Sequence, residues 1–310
     1  MSLDFEIHNI IKDIPVSFGI AIKNLCSGEE VLLNADRPFE LANVFKIPIL
    51  VAAMQQIDRG RFHLHDRIVL HDFHKVFPND ILSAMEDGIR LPIKDLLTLM
   101  ITVSDNTAID MTLDLIGGTQ TVNSAMRRLG FSSNEINITT SMHETVEEVF
   151  GFSETYSNTS ELVKTVISNG VHFNGRIDHD NSKENMATPR AVNRLNEMIF
   201  RGKVASHSVC EDAVAILLQQ TLNTRLQSHF PLDDPNIDVA HNLGTLFGVH
   251  NDSGIIYIQD NVHLGVTIFT KKEGQLTYDD VMSPTFQKVE WQVDRAIRQI
   301  TRLAYDYWLE

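Results

Sequence analysis

Segments with strand-like alternation fall at the two ends of this chain, and nearly everything between them has helical spacing. Near the start, Val16, Phe18, Ile20 and Ile22 alternate with smaller or polar residues, Ser27-Gly28 reads as a turn, and Val31 to Asn34 returns as a second strand. Near the end, residues 237–243, 254–259 and 262–270 are rich in Val, Ile and Thr, with Asp260-Asn261 as a compact turn. The two ends are expected to build one antiparallel sheet, with the helical middle inserted into it. Helices at 4–13 and along the stripe Val289, Val293, Ile297, Ile300, Ala304 then cover the sheet. The expected class is α+β, an α/β sandwich with an added all-helical part.

The middle opens at Asn43, and Ile47, Leu50, Val51 and Met54 recur at helical spacing until Arg59-Gly60. Residues 93–103 are apolar nearly all round, so that helix is expected to be deeply buried. Helices follow at 107–116 and 121–129, and then at 189–201 and 208–221 after the strong start signal Thr188-Pro189. Residues 1–310 are read as one domain, in which 1–41 with 232–310 form the α/β part and 42–231 the helical part. Residues 141–186 look like a lid insertion with short helices at 144–150 and 160–168. A cleft between sheet and helices is the natural place for a site.

Composition narrows the partners. A formal net charge of −15 repels phosphate backbones and anionic lipid, so nucleic acid and membrane partners are not expected. No apolar run approaches the ~20 residues that span a bilayer. The N-terminus lacks a basic stretch followed by an apolar one, so a soluble cytoplasmic chain is expected. Cys26 and Cys210 lack a CxxC or Cys/His pattern and read as two buried or half-buried thiols. The pairs His63/His65 and His71/His74 have no zinc-like partners, so no metal and no cofactor is expected.

Three segments carry the chemistry: Leu41-Ala42-Asn43-Val44-Phe45-Lys46-Ile47-Pro48, Val103-Ser104-Asp105-Asn106-Thr107-Ala108, and His241-Asn242-Leu243-Gly244-Thr245 followed by Gly248-Val249-His250-Asn251-Asp252. In this order the chain resembles class A serine β-lactamases and the related penicillin-binding serine hydrolases over residues 16–140 and 186–308. Those proteins have Ser-x-x-Lys, Ser-Asp-Asn and Lys-Thr-Gly boxes, the last followed by Gly-Val-Arg-Asn-Asp. Asp58-Arg59-Gly60-Arg61, Asp95-Leu96-Leu97 and the set Gln219, Asn223, Arg225 also resemble the family. The resemblance implies that position 43 and Lys46 share a helix face, that the lysine activates a serine at 43, and that backbone N–H groups at 43 and Thr245 form an oxyanion hole.

The departures matter as much. Asn43 stands where the nucleophilic serine should be, and an amide is not a useful nucleophile at neutral pH. Asparagine is a good N-cap and can hydrogen-bond Lys46 or a ligand. Asn242 and Leu243 replace the box lysine and hydroxyl residue, and His250 stands where an arginine often sits. Both cations that would hold a substrate carboxylate are therefore expected to be missing or weakened. His241 and His250 could each hold an anion, with a core position the equal reading for His241.

Lys46 and Ser104 remain as proton-transfer groups. Asn106, Asn242, Gly244, Thr245 and His250 are the candidate ligand-binding set. Glu154, followed by Asn158, has the spacing of the family's water-activating glutamate; its plain alternative is a solvated loop residue. The expectation is a hydrolase-lineage protein binding a small amide, lactam or similar carbonyl compound, with any catalysis avoiding an acyl-enzyme. Two alternatives stand beside it: an inactive binding or regulatory module, and a serine-to-asparagine variant of an active hydrolase.

Overall fold

Among the described residues the strands are, in chain order, β1 (Ser17–Asn24), β2 (Glu30–Leu33), β3 (Phe39–Glu40), β4 (Arg67–Val69), β5 (Arg90–Pro92), β6 (Ile136–Asn137), β7 (Met186–Ala187), β8 (Ile237–Leu246), β9 (Val249–Ile258) and β10 (His263–Lys271). The helices are α1 (Leu3–Ile11), α2 (Lys46–Asp58), α3 (Ile93–Thr102), α4 (Asn106–Ile116), α5 (Gly118–Arg128), α6 (Met142–Phe150), α7 (Pro189–Phe200), α8 (His207–Leu217), α9 (Tyr278–Met282) and α10 (Pro284–Leu309). These come from a computed structural model in which residues 2–76, 81–150, 185–230, 237–258, 262–274, 276 and 278–309 are described.

The main sheet has the order β2-β1-β10-β9-β8, antiparallel throughout, with Ser17 opposite Lys271 where the first strand meets the last. The two chain ends thus make one sheet. The fold is the mixed helical and antiparallel β-lactamase/transpeptidase-like type. Period-2 alternation divides the sheet's side chains between two cores. Ile20, Val239, Ile256, Val266 and Ile268 pack with Leu3 and Ile7 of α1 and Val293, Ile297 and Ile300 of α10. Ala240, Ile255 and Phe269 pack on the opposite side with α2 and its neighbours. Asn242 and Gly244 share a strand face with Ala240, so alternation turns them toward the helical layer.

The most deeply buried helix is α2, where every residue from Lys46 to Gln56 is buried. Residues 93–103, expected to be deeply buried, bury one side of α3 and keep Lys94 and Asp95 exposed on the other. Apolar content alone does not rank burial; α2 wins because α3, α4, α5 and α8 surround it. Its two buried amides are satisfied, with Gln55 Nε2 donating to the Val204 carbonyl at 3.0 Å and Gln56 Nε2 to that of Ile116 at 2.8 Å.

Strand β9 begins at Val249 rather than at 254. The polar run Asn251-Asp252-Ser253 hides it in sequence, yet all three are buried and bonded; Asn251 Nδ2 donates to the Glu40 carbonyl at 2.6 Å, and Ser253 Oγ meets Thr267 Oγ1 at 2.7 Å. Cys210 is buried but Cys26 is exposed in the turn after β1, and both are free thiols. Helix α6 matches the first short helix expected in the insertion. Residues 160–168 and the Asp260-Asn261 turn lie outside the described residues. Among the described residues, no helix is long and apolar enough to cross a membrane.

Candidate functional site

The first segment enters as a three-ten turn, Ala42–Phe45, and α2 begins only at Lys46. Asn43 is therefore not the helix cap that its residue type suggests. The Lys46 N–H donates to the carbonyls of Asn43 and Val44, and no side chain caps this turn. The Asn43 side chain is used across the cleft instead, where its Nδ2 donates to Ser104 Oγ at 2.9 Å. Lys46 is 1% exposed, so protein rather than solvent encloses its side chain.

Two residues here have left-handed backbone that side chains disfavour, Ala42 with φ 44° and Ser104 with φ 59°. Each such residue costs on the order of 1 kcal/mol, which the surrounding contacts must offset. For Ser104 those contacts come from its neighbour. Asp105 caps α4, accepting the Ala108 N–H at 2.8 Å and the Leu82 N–H at 2.9 Å. Burial pushes the Asp105 carboxyl up, against the downward pull of those N–H groups. Asp105 thus anchors the turn that presents Ser104, and Asn106 follows, half-buried, as the first residue of α4.

The third segment lies along β8. Gly244 passes so close to the first turn that a methyl group added there would sit 2.6 Å from Asn43 N and 2.9 Å from Val44 N. Only a glycine lets the backbone N–H of position 43 approach β8 this closely. Asn242 is fully buried and bonds inward: Nδ2 donates to the Asn43 carbonyl at 2.7 Å, and Oδ1 accepts from Gln220 Nε2 at 3.3 Å. It ties β8 to the turn that carries Asn43.

A buried cation does lie at this end, supplied from outside the altered box. Arg225, 2% exposed, reaches under the end of β8 from the segment before it. Its Nε donates to Asp294 at 2.6 Å and its Nη2 to Thr245 Oγ1 at 2.8 Å. His250 completes the network, with Nδ1 2.8 Å from Asp294 Oδ1 and 2.9 Å from Arg225 Nη2, and Nε2 3.1 Å from Glu290 Oε1. Burial alone would lower the His250 pKa, but the bonds to Asp294 and Glu290 outweigh it and the net shift is upward. Burial likewise works against the Asp294 carboxylate, yet the His250 bond and the Arg225 charge hold its pKa below the usual range. In sequence Arg225 stands out only as part of a resembling segment; its ion pair needs α10, far along the chain.

His241 is a core residue. Its Nδ1 lies 2.9 Å from Asp252 Oδ1, its Nε2 3.1 Å from Asn223 Oδ1, and it is 1% exposed. Both histidines of the altered box thus face carboxylates. Among the described residues, no group of three His, Cys, Asp or Glu side chains is placed to hold a metal ion.

Both ends of the 141–186 segment start beside the site. Asn185 Oδ1 accepts the N–H groups of Thr139 and Thr140 at 2.7 and 3.1 Å, and the Asn185 carbonyl accepts the Leu41 N–H at 2.8 Å. Asp110 of α4 takes the Met142 and His143 N–H groups at 2.7 and 2.8 Å, and burial pushes its pKa up to about 6. No local pattern marks this anchor, since one carboxylate on a helix looks like any other. Glu154 lies outside the described residues.

Known proteins share this fold. The Beta-lactamase enzyme family profile matches residues 2–308. Beta-lactamase VEB-1 of Pseudomonas aeruginosa is 24% identical, the alignment covering 99% of this chain and 91% of that protein. Beta-lactamase regulatory protein BlaB of Streptomyces cacaoi is 23% identical over 97% of this chain and 98% of its own length. The crystal structure of a beta-lactamase from Sphaerobacter thermophilus superimposes with a TM-score of 0.73 at 26% identity, covering 97% of this chain and 94% of the other. By its segments, its sheet and these matches, the chain belongs to the beta-lactamase enzyme family.

Proposed function

We propose that the cleft binds a small amide, lactam or similar carbonyl compound, and that any turnover there proceeds without an acyl-enzyme. One observation carries this reading: an amide side chain stands where a nucleophile is needed, held 2.9 Å from Ser104 Oγ. The backbone is suited to polarise a carbonyl, because Gly244 brings β8 against the Asn43 N–H. Asn106 and Thr245 flank the space a ligand would take, half-buried and exposed respectively. Water supplies the attacking oxygen in this reading. Lys46 is the group that takes its proton in this reading. Ser104 passes a proton to the departing nitrogen. Rates on the order of 10³-fold over water are within reach of a site lacking its nucleophile.

The test uses a chromogenic cephalosporin and a p-nitrophenyl ester, on the chain and on Asn43→Ser, followed by intact mass. The chain should carry no adduct, and Asn43→Ser should gain one. A covalent adduct mapped to Asn43 in the unmodified chain refutes the proposal. A second reading, a binding or regulatory module without turnover, draws on the relative named a regulatory protein, which matches 97% of this chain. Thermal stabilisation by a carbonyl compound without its consumption selects that reading.

A further inference from the structure

The donors of Arg225 and Asn242 at the β8 end can be accounted for one by one, and this bears on the charge of the ligand. A guanidinium has five N–H groups. In Arg225 the Nε faces Asp294, Nη1 faces the carbonyls of Gly244 at 3.0 Å and Asn251 at 2.9 Å, and Nη2 faces Thr245 Oγ1 and His250 Nδ1. Four thus meet an oxygen and the fifth is turned to the histidine ring, all within the protein. The charge is balanced as well, because the carboxylates of Asp294 and Glu290 stand against Arg225 and His250. The two N–H groups of Asn242 Nδ2 face the carbonyls of Asn43 at 2.7 Å and Leu243 at 3.4 Å. Leu243 brings no polar side-chain atom. Lys46, the lysine of the first segment, is buried at the start of α2 rather than on β8.

Two apolar side chains are exposed among polar ones on the neighbouring segments. Val103, next to Ser104, is 40% exposed, and Leu222 is 41% exposed. Their segments are joined by Thr221, whose Oγ1 and N–H both reach the Thr102 carbonyl, at 2.6 and 3.4 Å. The Thr245 hydroxyl, which accepts from Arg225, keeps its own proton to give. A neutral hydroxyl serves an ester carbonyl as well as a carboxylate and brings no compensating charge. A carboxylate placed against β8 would lose its water and find the Arg225 guanidinium already taken by groups of the protein.

We infer that the compound taken by this cleft is uncharged where it lies along β8, ending in an ester, amide or lactone group rather than a free carboxylate. The inference rests on the reading of the cleft as a pocket for a carbonyl compound.

The experiment compares benzylpenicillin with its methyl ester, which differ in one carboxylate. Binding is measured by calorimetry on the chain and on Asn242→Lys, and acylation by intact mass on Asn43→Ser. The ester should bind the chain at least tenfold more tightly than the anion. That first comparison uses the unmodified chain, so it stands even where the lysine variant fails to fold. In Asn242→Lys, an added ammonium should shift the ratio at least tenfold toward the anion. Equal affinities, or tighter binding of the anion by the unmodified chain, overturn this inference and leave the proposed function standing. If neither compound binds the chain or Asn242→Lys and neither acylates Asn43→Ser, the reading of the cleft falls and the inference falls with it.

Discussion

Replacing Arg225 by methionine tests whether the guanidinium is the buried counter-ion that holds β8 to α10. The substitution keeps most of the side-chain volume and removes the charge and all its donors. Breaking a buried ion pair from one side costs about 3–5 kcal/mol. The Asp294 side chain is 24% exposed, which places the charge term at the low end of that range. The Gly244 and Asn251 carbonyls also lose a donor, at about 1 kcal/mol each. A loss of about 5 kcal/mol in urea unfolding follows, or a fall in Tm of about 10–15 °C at about 2–3 °C per kcal/mol.

Adding Asp294→Asn to the methionine variant should recover at least about 1 kcal/mol, because the stranded carboxylate is gone. The pH profile gives a second readout. Asp294 is depressed in the folded state, so its contribution is present above about pH 4 and is lost as pH falls through the folded value. His250 is raised, so its contribution is full below about pH 6.5 and is lost as pH rises through the folded value. Removing Arg225 takes away a charge that pulls both groups down, so both edges of the stability plateau should move to higher pH. A methionine variant that unfolds within about 1 kcal/mol of the parent from pH 4 to 8 would refute the buried counter-ion, since that lies well below the cost of losing one side of such a pair.

Further outcomes follow from single contacts. Gly244→Ala puts a methyl group 2.6 Å from Asn43 N; it should cost about 1–3 kcal/mol in denaturant unfolding and abolish calorimetric binding of any carbonyl ligand. Asp110 carries a folded pKa of about 6, raised by burial, so the stability it contributes is fully present below about pH 4 and lost as pH rises through 6. Asp110→Asn should flatten that fall; an unchanged slope between pH 4 and 7 would show that another group titrates. His241→Leu strands the fully buried Asp252 carboxylate, and a loss of about 3 kcal/mol or more is expected, with part restored in His241→Leu/Asp252→Asn.

Much of this is legible in sequence. The strands at the two ends, the helix stripes at 189–200 and along the last helix, and the three chemical segments all announce themselves by local period and spacing, and the structure joins the strands into one sheet as expected. Position 43 is marked in the same way, as the head of the first chemical segment. Where the expectations for Asn43 and His250 differ from the structure, the deciding neighbours lie far along the chain. Asn43 has the type of a helix cap but bonds Ser104 across the cleft. His250 looks like a ligand group, while its ring faces Asp294 and Glu290 of α10.

The sequence by itself determined which stretches become strand or helix and which side chains carry chemistry, because those properties are written in neighbours one to four residues apart. The tertiary structure alone decided what each polar group is bonded to. Asn242 and Arg225 could have been donors for a ligand until the Asn43 carbonyl, Asp294 and the Gly244 carbonyl came within reach and used them. Hydrogen bonds act over about 3 Å of space, regardless of how many residues separate the partners, and local pattern does not encode that distance.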